Sequence, residues 1–197
     1  MRNKIAIVFF MCFAYLLVMT DYEIPEEPEE VTEVFIEVTE LEEIELEEIE
    51  EPEEVYIGVL TPCDLSVEEL ERGLRKDLSE YAEVFLEMED ETGVSAVFLA
   101  SVSALESGWG TSELSRGRNN LFGWAYSDGY ARFDSKEECI RTVCRKIKEL
   151  YLSEDGKYFS GYEVRDVNEK YCTSNEWTWK VEKIMFDIEK RAKGEVK

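Results

Sequence analysis

The sequence predicts a mainly α domain of the α+β class, in which a helical lobe carries a small β-hairpin lobe. Apolar residues recur at helical spacing in several segments after residue 64. Between Leu121 and Phe133 the pattern changes, because aromatic residues alternate with small and polar ones around an Asp-Gly pair at positions 128–129. That alternation is typical of a hairpin. At 197 residues, the chain is long enough for one well-formed core with appendages.

Signals at the helix ends place the helices along the chain. A serine followed three residues later by a glutamate has the spacing of a capping box, and it predicts helix starts at Ser66 and Ser135. Residues 166–169 predict a third start. A final helix is expected from about Asn175, with one apolar face and a basic end at residues 190–193 that complements the helix dipole.

Residues 1–20 form a targeting segment, in which Arg2 and Lys4 precede an uncharged apolar run over residues 5–19. The protein is therefore expected to be exported. The sequence is compatible with both a cleaved signal peptide and an uncleaved membrane anchor. The anchor is the preferred interpretation, because residues 17–20 lack the small side chains that a signal peptidase favours.

Residues 21–54 form an acidic linker with eighteen acidic residues and no basic ones, and it carries most of the net charge of −24. Such a segment repels itself and extends, so it could hold the following domain, residues 55–197, away from an anionic membrane. Solubilising filler and an acidic amphipathic helix for a partner are the alternatives. The acidic composition argues against nucleic acid as a partner, since phosphate binding needs clustered Lys and Arg.

The sequence contains no histidine. This excludes hydrolases with a Ser-His-Asp or Cys-His arrangement and zinc amidases with histidine ligands. Past residue 20 the cysteines are Cys63, Cys139, Cys144 and Cys172, and none has Cys-x-x-Cys spacing. No metal site is expected. Four cysteines permit three pairings, and free thiols are also open.

Glu106 is the candidate acid. Apolar residues at helical spacing from Val94 to Leu105 predict a helix that ends near Glu106, with Gly108 placed to stop it. A carboxyl there meets the negative end of the helix dipole, and Leu105 and Trp109 can help exclude water. Both effects favour the protonated form that a general acid needs. A solvated glutamate at a helix end is the alternative.

The run ALESGWGTS at residues 104–112 is followed by NNLFG at 119–123, FDS at 133–135, YCT at 171–173 and then Trp177. This order of motifs, over roughly residues 64–190, resembles the N-acetylglucosaminidase domains of bacterial autolysins and flagellar peptidoglycan hydrolases, glycoside hydrolase family 73. The resemblance implies a lysozyme-like fold with a groove between the helical lobe and the hairpin. It also implies peptidoglycan glycan strands as substrate, with no metal or organic cofactor.

The positions that match the family's motifs imply that Glu106 is the catalytic acid and that Tyr171 lies in the active site. The second carboxylate departs from the family pattern, in which many members place a glutamate in the hairpin. No glutamate lies between Glu113 and Glu137 here, so Asp128 is the candidate for that role. An ordinary Ser-Asp-Gly turn is the alternative. The separation of a true second carboxylate from Glu106 would decide between inversion and retention. Without one, Tyr171 or the substrate's own N-acetyl group is the candidate for stabilising the oxocarbenium-like state.

Five residues are candidates for substrate binding. Trp124 and Tyr126 are assigned to a sugar platform, because flat rings stack on the faces of pyranose sugars. Trp109 and Phe122 are further candidates, although core packing suits Phe122 as well. Asn120 could contact an N-acetyl group through its amide, with a role in a turn as the alternative.

The sequence thus predicts a glycoside hydrolase that cleaves the β-1,4 bond after N-acetylglucosamine, with Glu106 protonating the leaving oxygen while water attacks the anomeric carbon. It is expected to be a monomer at the cell surface or outside the cell, attached to the membrane through residues 5–19. The alternatives are a muramidase or lytic transglycosylase on the same fold, a non-catalytic wall-binding module, and an adaptor that binds a protein through residues 21–54.

Overall fold

The computed structural model describes residues 58–195. These residues form seven α-helices, one 3-10 helix and a two-stranded antiparallel sheet, which confirms the predicted mainly α fold with a hairpin. In chain order the elements are α1 (Val67–Gly73), the 3-10 helix (Lys76–Tyr81), α2 (Ala82–Thr92), α3 (Ala96–Ser107), α4 (Glu113–Arg118), β1 (Ala125–Tyr126), β2 (Gly129–Tyr130), α5 (Lys136–Tyr151), α6 (Val164–Tyr171) and α7 (Trp177–Ala192).

Helix α3 forms the buried centre of the helical lobe. Ten of its 12 residues are buried, so it is apolar on almost every side, as a core helix must be. It packs against α7 and α2, and α5 packs against α2. Side chains near the end of α3 are therefore held by the core of the domain.

Helices α1 and α7 approach closely at Gly73. A Cβ atom at this position would lie 2.7 Å from the carbonyl oxygen of Ile188, so only glycine fits. Two arginines clasp the helix ends: Arg72 Nε donates to the carbonyl of Ala192 at 3.1 Å, and Arg191 Nε donates to the carbonyl of Gly73 at 2.7 Å. The first and last helices of the described domain are thereby joined.

The capping box at Ser66 is confirmed in full: the Ser66 hydroxyl accepts from the Glu69 N–H, and the Glu69 carboxylate accepts from the Ser66 N–H. Ser135 also caps its helix, because its hydroxyl accepts from the Glu138 N–H at 3.0 Å. The Glu138 carboxylate, however, accepts from the backbone N–H of Asp134 at 2.7 Å, one residue before the expected partner. This helix start is therefore correct, with half of the box rearranged.

The helix start predicted at residues 166–169 is wrong. Helix α6 begins at Val164, because Asp166 lies inside the first turn and its carboxylate accepts from the Glu163 N–H at 3.0 Å. An acidic residue at the third helical position caps from within. The final helix begins at Trp177, close to the predicted position.

The predicted hairpin is confirmed. Ala125 pairs with Tyr130 and Tyr126 pairs with Gly129, and both short strands are exposed. Arg118, the last residue of α4, fixes the base of the hairpin by donating from Nη1 to the carbonyl of Tyr130 at 2.9 Å. The hairpin is therefore tied to the helical lobe.

All four cysteines of residues 58–195 are free thiols, the alternative to pairing that the sequence left open. Cys139 and Cys144 are buried in α5, and the Cys139 sulfur accepts the Leu121 N–H at 3.3 Å. Burial raises the pKa of the Cys139 thiol to about 12. This thiol thus acts as a packing and hydrogen-bonding group for the loop after α4.

The segments predicted to target the protein and to link it, residues 1–20 and 21–54, lie outside the described residues. Within residues 58–195, no helix combines the length and the apolar character needed to cross a membrane.

Candidate active site

Glu106 lies in the last turn of α3, one residue before the helix ends. Gly108 caps the helix in a left-handed conformation, with φ of +59°, and its N–H donates to the carbonyl of Ala104. The helix therefore stops where the sequence predicts. The carboxyl lies at the carbonyl end of the most buried helix of the domain.

The loop after Glu106 is locked by small polar groups. The buried Ser107 hydroxyl accepts the Gly110 N–H at 2.7 Å, and Ser115 donates its hydroxyl to the Gly110 carbonyl at 2.7 Å. Gly110 itself packs on the 3-10 helix, since a Cβ there would lie 2.9 Å from Asp77 Cβ. The glycines of this motif thus allow the backbone to turn sharply and to approach the 3-10 helix closely.

The Glu106 carboxyl is held between an indole and a glycine. Trp177 Nε1 donates to Oε1 at 2.9 Å, and a Cβ atom at Gly123 would lie 3.5 Å from Oε2. Burial raises the pKa of Glu106, and the hydrogen bond from Trp177 offsets part of that rise. The carboxyl therefore keeps its proton to higher pH than an ordinary glutamate, as a general acid requires.

Tyr171 lies near Glu106, and its catalytic role stays a prediction. Its hydroxyl donates to the Phe122 carbonyl at 3.1 Å, and its ring centroid is 5.3 Å from that of Trp177. Burial, aided by the nearby charge of Glu106, raises the pKa of Tyr171 well above its usual value. The hydroxyl stays protonated at neutral pH and holds the loop that contains Gly123.

Two guanidinium groups lie over the ring of Trp109. The Cζ atoms of Arg75 and Arg191 are 5.7 Å and 5.3 Å from the ring centroid, which is cation–π geometry. Trp109 therefore connects the 3-10 helix region with α7. The aromatic ring that contacts the Glu106 carboxyl is Trp177, and substrate binding by Trp109 stays a prediction.

Asn120 is buried and has its amide fully used. Nδ2 donates to the carbonyls of Trp124 at 2.8 Å and Ala131 at 3.1 Å, while Oδ1 accepts from the N–H groups of Phe122 and Trp124 at 3.3 Å and 3.0 Å. An asparagine side chain has two donor hydrogens and one acceptor oxygen. These contacts support the structural alternative for Asn120, in which it frames the loop and the hairpin.

The aromatic candidates differ in accessibility. Phe122 is buried in the core, which supports its packing alternative. Trp124 is half-buried against that core, whereas Tyr126 and Tyr130 on the hairpin are 58% and 48% exposed. Around the hairpin, the rings that a ligand can reach are therefore those of Trp124 and the two tyrosines.

Asp128 lies in the two-residue turn of the hairpin and is exposed. Its carboxylate forms no salt bridge with any of the described residues. The structure thus brings Glu106 and Tyr171 together and leaves Asp128 at the hairpin tip. Its role as second carboxylate stays a prediction.

Trp177 belongs to the residues that carry the resemblance, but the sequence assigns it no role at the site. The helical pattern shows it as the first apolar residue of the last helix, and the contact with Glu106 spans 71 positions. Asn168 stabilises the turn before α7, because its Nδ2 donates to the Ser174 carbonyl at 3.2 Å and to Thr178 Oγ1 at 3.1 Å. Spacing along the chain carries no signal for such a contact.

Other potential sites lie away from Glu106. Between residues 58 and 195, no group of three His, Cys, Asp or Glu side chains could hold a metal ion. A cavity of about 470 Å³ is lined by residues from Pro62 to Val67 and by residues of α2, and Glu106 does not line it.

A family model described as Mannosyl-glycoprotein endo-beta-N-acetylglucosaminidase matches residues 82–190. Two curated proteins of Streptococcus pneumoniae, from strains TIGR4 and R6, are 30% identical over 115 residues, which is 56% of this chain. Both are provisionally named endo-beta-N-acetylglucosaminidase. The match covers 17% and 16% of their lengths, so the chain spans less than a fifth of these relatives.

Solved structures of S. aureus autolysin E have a similar fold. A catalytic mutant of that protein, in complex with the disaccharide NAG-NAM, aligns with a TM-score of 0.58 at 20% identity and covers 69% of this chain and 72% of that one. A second autolysin E structure aligns with a TM-score of 0.57 at 21% identity over 71% and 72% of the two chains. The described domain therefore shares the autolysin E fold.

Proposed function

Because this chain belongs to the glucosaminidase family, whose model matches residues 82–190, we propose that it is a glycoside hydrolase that cleaves the β-1,4 bond after N-acetylglucosamine in peptidoglycan. The observation that carries this proposal is the setting of Glu106. Its carboxyl sits at the end of the central helix, burial raises its pKa, and the indole of Trp177 orients it. This setting suits an acid that protonates a glycosidic oxygen.

In the proposed reaction, Glu106 gives its proton to the oxygen of the leaving sugar as the bond to the anomeric carbon breaks. Water adds to the anomeric carbon and loses a proton, so the products are two free sugar ends and the acid is regenerated by a proton from solvent. Asp128 remains the candidate for activating that water. Neither Tyr171, whose hydroxyl donates to a backbone carbonyl, nor a buried thiol is assigned to this step.

The sugar is proposed to lie against the hairpin. Trp124 is half-buried at its base and Tyr126 is exposed on β1, so both present ring surface beside the loop that contains Gly123. Rings of this kind stack on pyranose faces while their polar edges bind hydroxyls. The N-acetylglucosamine unit next to the cleaved bond is the proposed occupant.

The wall substrate also requires that the protein act outside the membrane. We propose that it is exported as a monomer and held at the membrane by residues 5–19, with residues 21–54 as an extended acidic spacer. The apolar run and the block of like charge support this arrangement.

The proposal is tested by digesting purified peptidoglycan with the wild type, with Glu106→Gln and with Glu113→Gln, an exposed matched control on α4. Mass spectrometry of the products identifies the new reducing ends. We expect N-acetylglucosamine ends from the wild type and the control, and a loss of activity of about 100-fold or more in Glu106→Gln, the usual contribution of a general acid.

Three outcomes would contradict the proposal. Equal activity of wild type and Glu106→Gln removes the acid assignment. N-acetylmuramic acid ends indicate a muramidase, and anhydro sugar ends indicate a lytic transglycosylase. Wall binding by both proteins without any cleavage indicates a non-catalytic binding module.

A further inference from the structure

We propose that Trp177 is a positioning residue for Glu106: its indole N–H makes Oε1 the hydrogen-bond acceptor and thereby places the acid proton on Oε2. The catalytic consequence rests on the proposed function, whereas the location of the proton follows from the geometry alone. The contact on which it depends is the 2.9 Å hydrogen bond from Trp177 Nε1 to Glu106 Oε1.

The chemistry of the donor decides which oxygen is protonated. An indole N–H donates and cannot accept, whereas a neutral carboxyl group has one O–H and one oxygen that only accepts. The carbonyl oxygen of a neutral carboxyl is a stronger acceptor than its hydroxyl oxygen, so the hydrogen bond from Trp177 favours Oε1 as the carbonyl oxygen. The proton of the neutral carboxyl is thereby favoured on the other oxygen, Oε2.

The surroundings of Oε2 suit proton delivery. Gly123 faces it, and a Cβ there would come into contact with Oε2 at 3.5 Å. The glycine has a left-handed φ of +62°, a conformation that other residues rarely adopt, so this space is kept free of a side chain. This is the side from which the proposal brings a glycosidic oxygen to Oε2.

Trp177 is held firmly enough to act as a fixed donor. It is buried, and its ring packs against Tyr171 at 5.3 Å between centroids, which in turn packs against Tyr151 at 5.6 Å. The hydroxyl of Tyr171 is bound to the Phe122 carbonyl next to Gly123. The indole, the tyrosine and the glycine loop thus form one connected frame around the carboxyl, which is the condition for preorganised catalysis.

The first test observes the hydrogen bond without any need for activity. The chain has four tryptophans, so the ¹⁵N-labelled full chain gives four indole N–H signals, and Trp177→Phe assigns the one from position 177. We expect that signal to move with pH as Glu106 ionises and to become insensitive in Glu106→Gln. An indole 177 signal that does not follow Glu106 overturns the proposal, and this holds whether or not the chain hydrolyses peptidoglycan.

The second test measures the pH dependence of kcat/KM on peptidoglycan for the wild type and Trp177→Phe. Loss of a donor to the carboxylate disfavours the charged form, so the acid stays protonated to higher pH and the basic limb moves up by about one pH unit. We expect kcat to fall about tenfold as the carboxyl loses its fixed orientation. Trp179→Phe, on the same helix with an exposed ring, is the control that leaves both values unchanged.

A fall in kcat with an unmoved basic limb would show a merely structural role and overturn the proposal. Benzothienylalanine at position 177 separates the two effects if Trp177→Phe folds poorly, because it keeps the shape of tryptophan and removes only the N–H. The same upward shift of the limb is expected from it. An unmoved limb in this variant also contradicts the proposal.

Discussion

Glu106 shows how the position of one residue turns an ordinary carboxyl into a candidate acid. Its burial could be predicted, because the apolar spacing of α3 and the stop at Gly108 are local properties of the sequence. Its hydrogen-bond partner could not, since Trp177 is 71 positions away and is brought to Glu106 by the packing of α7 on α3. Trp109, which the sequence predicts to help exclude water from the acid, lies under the guanidinium groups of Arg75 and Arg191.

The raised pKa of Glu106 has a consequence for stability. Its pKa in the folded protein is above the ordinary 4.5, so the folded state binds more protons than the unfolded chain and stability falls as pH rises from below 4.5 through the folded pKa. Glu106→Gln removes this ionisation. We therefore expect it to be more stable than the wild type in thermal melts at pH 7, with the difference shrinking below pH 4.5. Glu113→Gln, which is exposed, should show no such pattern, and a gain that is equal at both pH values would contradict this account.

Tyr171 tests whether a residue beside the acid acts on the substrate or on the loop. Removal of its hydroxyl in Tyr171→Phe breaks the bond to the Phe122 carbonyl, which should cost about 1 kcal/mol in urea unfolding. Activity on peptidoglycan should fall far less than in Glu106→Gln. A loss as large as that of Glu106→Gln would instead place the hydroxyl in the reaction itself.

At the scale of elements, the hairpin was predictable and the start of α6 was not. A hairpin is specified by its own turn, here Ser127-Asp128, and by alternation along two short strands. The start of α6 depends on which of several acidic residues caps the first turn, and Asp166 does so from inside the helix. The hairpin's attachment to the helical lobe was also hidden from the sequence, because the side chains of Arg118 and Asn120 reach across 12 and 11 positions to the backbone carbonyls of Tyr130 and Ala131.

Asn120→Asp measures that attachment. The substitution keeps the shape of the side chain and replaces the two N–H donors that bind the Trp124 and Ala131 carbonyls with an acceptor. Two buried carbonyl oxygens then face a carboxyl oxygen, so we expect a loss of about 3 kcal/mol or more in urea unfolding. Asn175→Asp, at an exposed position, is the control. Similar midpoints for the two variants would mean that Asn120 does not hold the hairpin.

Tyr126→Ala separates the binding role of the hairpin from its structural role. The side chain is 58% exposed, so its loss should leave the melting temperature unchanged. If stacking on a sugar face contributes as much as an aromatic pair does, about 0.5 to 1.5 kcal/mol, binding to purified wall should weaken up to about tenfold when both proteins also carry Glu106→Gln. Phe186→Ala, with a ring 51% exposed on α7, is the matched control and should bind as before. Equal weakening in the two variants would move the binding surface away from the hairpin.

At the scale of the whole molecule, charge and catalysis are separated along the chain. Most of the net charge of −24 belongs to residues 21–54, upstream of every candidate site residue. A variant that lacks residues 1–54 should therefore keep the melting temperature of the domain and its cleavage of soluble glycan fragments. It should also lose co-sedimentation with membranes, which we expect of the full chain. A full chain that stays in the supernatant, or a truncated one that still sediments, would contradict the anchor.

The clasp between α1 and α7 can close only late in synthesis, because α7 is the last described helix of the chain. Glu106 leaves the ribosome long before Trp177, and the helix that carries the indole is the last one described, closing on the first through Gly73 and Arg191. A nascent or partly translocated chain that ends before α7 holds the carboxyl without its donor. The candidate enzyme thus remains incomplete until nearly the whole domain has emerged.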